Sequence, residues 1–281
     1  MVRQLKRASL GLVLLLAACA SNRPAVIPQH PSPSEVYDEQ AHVPPFARQQ
    51  FARFSRIDAV SIALREWRLF GAPVDDLPEG QMPDLGEAKP ERLPGLWQRV
   101  GEYWWLGINA SDSSSAWTGK HDSDGRVFSP KQDGNYAWSA AFISYVMRIA
   151  GAGQRFPYSP AHATYINIAA QMADQSIGGW AVVAERPDSY APQLGDLICH
   201  GRLRAKSVRY EDLPAGPFTS HCDIVVETGA NTISVIGGNV DDAVTLKHVP
   251  VDVTGRIAGP GNASYDARYA WMVVLRVLYD Q

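Results

Sequence analysis

The spacing of apolar positions changes along the chain, from helical periods in the first half to short strand-like runs in the second. Up to about residue 172, apolar residues recur three or four positions apart, as they do on one face of a helix. The pattern predicts four helices, over 55–70, over 96–106, from Ser139 to the glycine at Gly151, and from Ser159-Pro160 onward.

The first predicted helix has recognisable ends. Ser55 and Asp58 form a capping-box-like pair at its start, and Gly71 follows its last turn. The residues expected on its buried face are Ile57, Val60, Leu64 and Trp67, because they recur at helical spacing.

After Gly178 the apolar residues form short or alternating runs, which are typical of strands. Gly229-Ala230-Asn231 predicts a tight hairpin between two of them. Helices followed by strands indicate an α+β fold in which an antiparallel sheet packs on helices. The predicted strands are Trp180–Glu185, Asp196–His200, Cys222–Thr228, Thr232–Ile236, Val244–His248 and Ala270–Leu278.

The N-terminus has the order of features found in an export sequence. Three basic residues precede an apolar stretch over 10–18 that is too short to span a bilayer as a helix. The stretch ends in Leu16-Ala17-Ala18-Cys19, which resembles a bacterial lipobox and implies lipidation of Cys19. Ala20 at the next position favours the outer membrane, and the alternative is an ordinary cleaved signal peptide.

The rest of the chain divides into a tether and one domain. Residues 19–47 contain six prolines among polar residues and predict an extended tether after the signal peptide 1–18. Residues 48–281 then form the folded domain with its helical lead-in. The chain has 281 residues, 46% hydrophobic and 20% charged, which excludes a wholly disordered protein.

Charge and residue content exclude several function classes. The formal net charge of -3 gives no basic excess for a nucleic-acid partner, and three cysteines are too few for a disulfide scaffold. There is no phosphate-binding loop or dinucleotide motif. The histidines lack ligand-type spacing, so neither a metal nor a cofactor is expected. The alternatives for His200 are a position near a functional cleft and a position at the surface, and the surface is expected.

Three segments place chemically useful side chains at the ends of predicted elements. Ser139 starts a strongly apolar helix, where free N–H groups favour an anion. His221 enters a core strand, and Asn239 follows Gly237-Gly238 at a strand end. Serine, histidine and asparagine can serve as nucleophile, base and orienting group. Each also has a structural explanation, as a helix cap, a buried structural histidine or a turn.

The residues around these positions resemble the CHAP-like and NlpC-like papain-fold amidases, over about 138–250. More narrowly, the chain is similar to the domain-of-unknown-function 2272 family. The segments that carry the resemblance are Trp138-Ser139-Ala140-Ala141-Phe142-Ile143, Leu194-Gly195-Asp196-Leu197-Ile198, Ser220-His221-Cys222-Asp223-Ile224-Val225 and Ile236-Gly237-Gly238-Asn239.

The resemblance implies a papain-like domain in which a helix N-terminus faces an antiparallel sheet. It assigns Ser139 to the nucleophile position, His221 to the base position and Asn239 to the orienting position. Asp223 is a second orienting candidate because it shares a strand face with His221. The implied fold also makes the strands of Cys199 and Cys222 neighbours, so the two thiols are expected to form a disulfide.

The family nucleophile is cysteine, whereas this chain has serine at that position. A thiol beside histidine readily becomes a thiolate, but a serine hydroxyl needs its base during the attack. Two interpretations therefore stay open. One is an outer-membrane, periplasm-facing lipoprotein that hydrolyses cell-wall peptide amides. The other is an inactive relative that binds peptidoglycan or an envelope partner protein.

Overall fold

The fold is α+β, with four α-helices followed by a six-stranded antiparallel sheet in the described part of the chain. The computed structural model describes residues 53–78, 81, 89–108, 126–128 and 136–280. The predicted signal peptide, Cys19 and tether lie outside the described residues. Within those residues, no helix has the length and apolar character needed to cross a bilayer.

The helices begin close to the predicted positions, except for the last. The fourth helix begins two residues after the predicted Ser159-Pro160, and the Ser159 hydroxyl accepts a hydrogen bond from the Ala161 N–H at 3.1 Å. We label the helices α1 (Arg56–Leu69), α2 (Leu96–Gly107), α3 (Ser139–Ile149) and α4 (His162–Ala173).

The cap of α1 is confirmed, and its predicted buried face is confirmed at Val60, Leu64 and Trp67, which pack against the core, but is wrong at Ile57. Ser55 Oγ accepts a hydrogen bond from the Asp58 N–H at 3.2 Å, whereas Ile57 is 76% exposed. The fully buried side chains of α1 are Ala59, Ala63 and Glu66. Small residues let the helix approach its neighbours closely, and the Glu66 carboxylate is buried because it has charged and polar partners.

Those partners join three helices. The Glu66 carboxylate accepts hydrogen bonds from Arg99 on α2, at 2.8 and 2.7 Å, and from the Tyr103 hydroxyl at 2.7 Å. Arg99 also contacts the Tyr145 hydroxyl on α3. This buried network fixes the helical layer from which α3 presents its N-terminus.

The six strands of the main sheet all fall where the sequence predicts strands. We label the strands β1 Val182–Glu185, β2 Leu197–Gly201, β3 Ser220–Thr228, β4 Thr232–Val240, β5 Ala243–Pro250, β6 Ala258–Gly259, β7 Ala263–Ser264 and β8 Trp271–Val277. Each strand of the main sheet pairs antiparallel with its neighbours in the order β1-β8-β2-β3-β4-β5. The short β6 and β7 pair with each other.

The hairpin between β3 and β4 is confirmed, since residues 229–231 join the two strands and Thr228 pairs with Ile233. Helix α3 packs on both strands and α4 packs on β1 and β3. Because α3 begins at Ser139, this packing brings its N-terminus to the part of the sheet where β3 and β4 carry the predicted site residues.

The predicted disulfide is present. Cys199 on β2 lies directly opposite Cys222 on β3, and their sulfur atoms are 2.07 Å apart. Both cysteines belong to the larger core, whereas Val225 on β3 belongs to a second core on the other face of the sheet. His221 therefore points away from the disulfide, as strand alternation predicts.

Candidate active site

The first residue of α3 is the candidate nucleophile. Ser139 follows Trp138, whose indole Nε1–H donates to the buried Glu91 carboxylate at 2.6 Å. That contact fixes the chain just before the serine. The N–H groups of the first helical turn have no partners within the helix, so this end of α3 can stabilise developing negative charge near Ser139.

The hydroxyl of Ser139 is hydrogen-bonded to an imidazole that the sequence does not single out. Its Oγ lies 2.7 Å from Nε2 of His162, the first residue of α4, and both side chains are buried. The other ring nitrogen, Nδ1, contacts the Tyr165 hydroxyl one turn along the same helix. Burial raises the pKa of Tyr165 well above its usual value, so the phenol stays protonated.

His221, the base candidate of the sequence, is hydrogen-bonded to a carboxylate on its own strand. Its Nε2 lies 3.0 Å from Oδ1 of Asp223, and Oδ2 of Asp223 accepts from Nζ of Lys247 on β5 at 2.7 Å. All three side chains are buried. Burial raises the pKa of Asp223, but Lys247 and His221 outweigh that effect and hold it well below its usual range.

The ionised carboxylate fixes the tautomer of His221. Asp223 can only accept, so Nε2 of the neutral imidazole carries the proton and Nδ1 keeps its lone pair. Burial lowers the pKa of His221, and the attraction of Asp223 offsets only part of that change. His221 is therefore neutral near pH 7, with an oriented ring whose Nδ1 has no hydrogen-bond partner among the described residues.

Three buried imidazoles stand next to one another at this site. The ring centroid of His221 lies 5.3 Å from that of His162 and 5.7 Å from that of His200. His200 is 7% exposed, so its predicted surface position is wrong, because β2 continues through it and pairs it with β3. Burial lowers the pKa of His162 well below its usual value and that of His200 to about 3.

Two glycines on β4 make room for the site. A Cβ atom at Gly237 would lie 2.0 Å from Asp223 Oδ1 and 2.7 Å from His221 Nε2. A Cβ atom at Gly238 would lie 2.5 Å from Cβ of Phe142 on α3. The first glycine thus admits the imidazole–carboxylate pair and the second admits the helix that carries Ser139.

The structure separates the two orienting candidates. Asn239 has a left-handed backbone (φ 55°) at the irregular end of β4, and no hydrogen bond within the described residues links its side chain to an imidazole. Asp223 holds the hydrogen bond to His221. Within the described residues, no group of histidine, cysteine and carboxylate side chains has the arrangement of a metal site.

The profile of a bacterial family, described as "Uncharacterized protein conserved in bacteria (DUF2272)", matches residues 91–277. This chain belongs to the DUF2272 family. The match includes α2, α3, α4 and the whole main sheet, and with them every site residue described above. No curated protein and no solved structure matches the chain.

The sequence pattern of this DUF2272 protein does not predict two of its site residues, His162 and Lys247. His162 reads as an ordinary residue at the start of a helix, since its partners Ser139 and His221 are distant in sequence. Lys247 gives a clearer indication, because it stands between Leu246 and His248 in a run that predicts a core strand. A lysine inside such a strand requires a buried anion, which here is Asp223.

Proposed function

We propose that this protein hydrolyses acyl bonds, amide or ester, with Ser139 as the nucleophile. The observation that carries the proposal is the 2.7 Å contact between Ser139 Oγ and His162 Nε2 at the N-terminus of α3. A hydroxyl bonded to an imidazole, beside free helical N–H groups, has the parts that acyl transfer needs.

In the proposed reaction, Ser139 Oγ forms a bond to the substrate carbonyl carbon while its proton passes to Nε2 of His162. The negative charge on the carbonyl oxygen is stabilised by the first-turn N–H groups of α3. The imidazolium then gives its proton to the leaving amine or alcohol as the carbonyl bond to that group breaks. Water hydrolyses the resulting ester of Ser139 and restores the hydroxyl.

His221 and Asp223 have a second role in this proposal. A buried imidazolium at His162 is costly, since the neutral Tyr165 hydroxyl is its contact on the other ring nitrogen. The nearby Asp223 carboxylate raises the pKa of His162 against the effect of burial, and it therefore lowers that cost. The resemblance to papain-fold amidases instead implies His221 as the direct base, with Asp223 orienting it.

The proposed substrate is the peptide of the cell wall, and the proposed location is the periplasmic side of the outer membrane. The substrate class rests on the resemblance of residues 138–250 to papain-fold amidases, and the packing of α3 against the sheet supports it. The location rests on the lipobox-like sequence ending at Cys19. The membrane is then a partner through the lipid anchor, and peptidoglycan is the partner of the folded domain.

A role in binding without turnover is the second candidate function. It is favoured by the burial of the reactive groups, because Ser139 is 5% exposed and His162 and His221 are each 4% exposed. A closed site with serine instead of cysteine can serve as a rigid platform for peptidoglycan or an envelope protein. The two candidates differ in whether Ser139 reacts.

An acyl fluorophosphonate probe tests the proposal directly. The hydrolase assignment predicts one covalent adduct on the wild-type protein, at Ser139, and none on Ser139→Ala. Ser144→Ala is the matched control, since Ser144 lies on the same helix and its hydroxyl bonds to the Ser159 backbone instead. Absence of an adduct, in a protein that melts cooperatively, would favour the binding role.

A further inference from the structure

A groove of about 440 Å³ opens beside the candidate active site, at the end of β2. Its inner wall is formed in part by His200, whose ring centroid is 5.7 Å from that of His221. The groove thus reaches His200, the imidazole next to His221. Its polar lining residues are His200, Arg202, Lys206, Ser264, Asp266, Arg268 and Tyr269.

Arg202 is a cation in the groove lining that can meet a ligand. Asp266 and Arg268 neutralise each other through a 3.0 Å ion pair. Arg202 is exposed, and no carboxylate in the described part of the chain pairs with it. Burial has the largest effect on the pKa values of His162 and His221, and the neighbouring charged groups follow. The positive charge of Arg202 is a smaller effect that also lowers both pKa values, so it acts on both imidazoles.

The backbone that carries Arg202 is fixed. The Arg202 N–H donates to the Thr219 carbonyl at 2.9 Å, and the Thr219 hydroxyl donates back to the Arg202 carbonyl at 2.7 Å. Thr219 lies two residues before His221, so the same contacts tie the arginine to the strand that carries the imidazole. A Cβ at Gly201 would lie 1.9 Å from the Ala205 carbonyl oxygen, which shows how tightly the next turn folds.

The residue after Arg202 is strained and exposed. Leu203 has a left-handed backbone (φ 53°) and is 75% exposed. A left-handed conformation is unfavourable for a leucine, and an exposed apolar side chain adds nothing to the core. Leu203 also lines a second, more apolar groove together with Val208, Pro217 and Phe218. These features are expected of a segment that contacts a ligand.

We propose that Arg202 binds a carboxylate of the substrate and thereby selects acidic acyl peptides. The peptide nature of the ligand rests on the proposed function, whereas the preference for an anion rests on the groove. The planar guanidinium can form two parallel hydrogen bonds to a carboxylate, which a lysine cannot do. The carboxylate would lie in the groove beside His200, on the side of the site formed by His200 and His221.

The test measures binding in a Ser139→Ala background, so that its result does not depend on turnover. The probes are N-acetyl-alanyl-glutamate and N-acetyl-alanyl-glutamine, which differ in one negative charge. Binding is followed by the NMR shifts of the His200 and His221 rings. We expect the acidic peptide to bind at least tenfold more tightly, with a preference that weakens as salt is added.

Arg202→Ala should abolish that preference, and Arg202→Lys should restore part of it. Arg204→Ala is the matched control, since Arg204 is exposed two residues away and lines the other groove. Equal affinity for the two peptides, or no measurable binding of either, would overturn the proposal. If the preference for the acidic peptide is found but the fluorophosphonate probe does not label the wild-type protein, the anion site at Arg202 stands and the hydrolase proposal is rejected.

Discussion

The Oγ atom of Ser139 lies 2.7 Å from Nε2 of His162, so the candidate nucleophile contacts an imidazole at the start of α4 and not the strand imidazole that the sequence comparison implies. His221, the base implied by that comparison, instead forms a hydrogen bond with Asp223. Two of the three buried imidazoles at the site, His162 and His221, thus have different partners. Their separate roles can be distinguished by substitution.

If His162 takes the proton of Ser139, His162→Gln should lower kcat by about 100-fold to 10,000-fold, because general base catalysis is lost. His221→Gln should lower it less, since in this proposal His221 holds Asp223, whose negative charge stabilises the imidazolium of His162. The exposed His248 provides the control, and His248→Gln should leave turnover unchanged. The measurement is single-turnover hydrolysis of an activated ester. A larger loss in His221→Gln than in His162→Gln would make His221 the direct base.

Lys247→Met should destabilise the protein by about 3–5 kcal/mol at pH 7, because it leaves the Asp223 carboxylate buried without its cation. In the wild type, the pKa of Asp223 is below its unfolded value of about 3.9, so its contribution is present above that pH and lost below it. Without Lys247, burial raises the pKa of Asp223, and the folded state takes up a proton at higher pH.

The stability difference between wild type and Lys247→Met should therefore shrink as the pH falls from 7 to about 4. Urea unfolding at a series of pH values measures it. The double variant Lys247→Met/Asp223→Asn is the control, and its difference from wild type should shrink less over the same range. A pH-independent difference for Lys247→Met would contradict the assigned ion pair.

Gly237→Ala should impair the site more than the fold. The new methyl group would lie 2.0 Å from Asp223 Oδ1, so the carboxylate must move and release His221. We expect a loss of activity or peptide binding of at least tenfold. Gly216→Ala is the control, because a Cβ there meets no atom within 4 Å. Wild-type function in Gly237→Ala, with the fold intact, would show that the His221–Asp223 contact is dispensable.

The disulfide between Cys199 and Cys222 should make both cysteines unreactive toward thiol reagents when the protein is unfolded without reduction. Closing a loop with a sequence separation of 23 residues stabilises the folded state by about 3 kcal/mol, so reduction should lower the melting temperature by several degrees. Maleimide labelling followed by mass spectrometry measures the first effect. Cys199→Ser should free one reactive thiol at Cys222, and two reactive thiols in the wild type would refute the bridge.

Cys19, the predicted site of the lipid anchor, lies outside the described residues. The full-length protein should fractionate with outer membranes and carry acyl chains on this cysteine. Cys19→Ser should yield an unprocessed precursor or a released protein. A wild-type protein that is processed but recovered entirely in the soluble fraction would contradict the lipoprotein assignment.

The sequence pattern was sufficient to predict those elements that depend on contacts between residues close together in the chain. Ser55 caps α1 through a residue three positions away, and the hairpin at 229–231 is encoded in adjacent residues. Alternation along β3 placed His221 and Asp223 on one face and Cys222 on the other. Each of these depends on local backbone geometry, which short-range patterns specify.

Tertiary packing alone decided which groups meet at the site. Ser139 contacts His162 because α3 and α4 both pack against the sheet, and Lys247 reaches Asp223 across β4 because Gly237 has no side chain. The same packing buried His200 and turned Ile57 to solvent. Such contacts join residues that are far apart in sequence. The spacing of apolar residues along the chain therefore predicts which face of a helix or strand a side chain occupies, but it does not predict which residue packs against it.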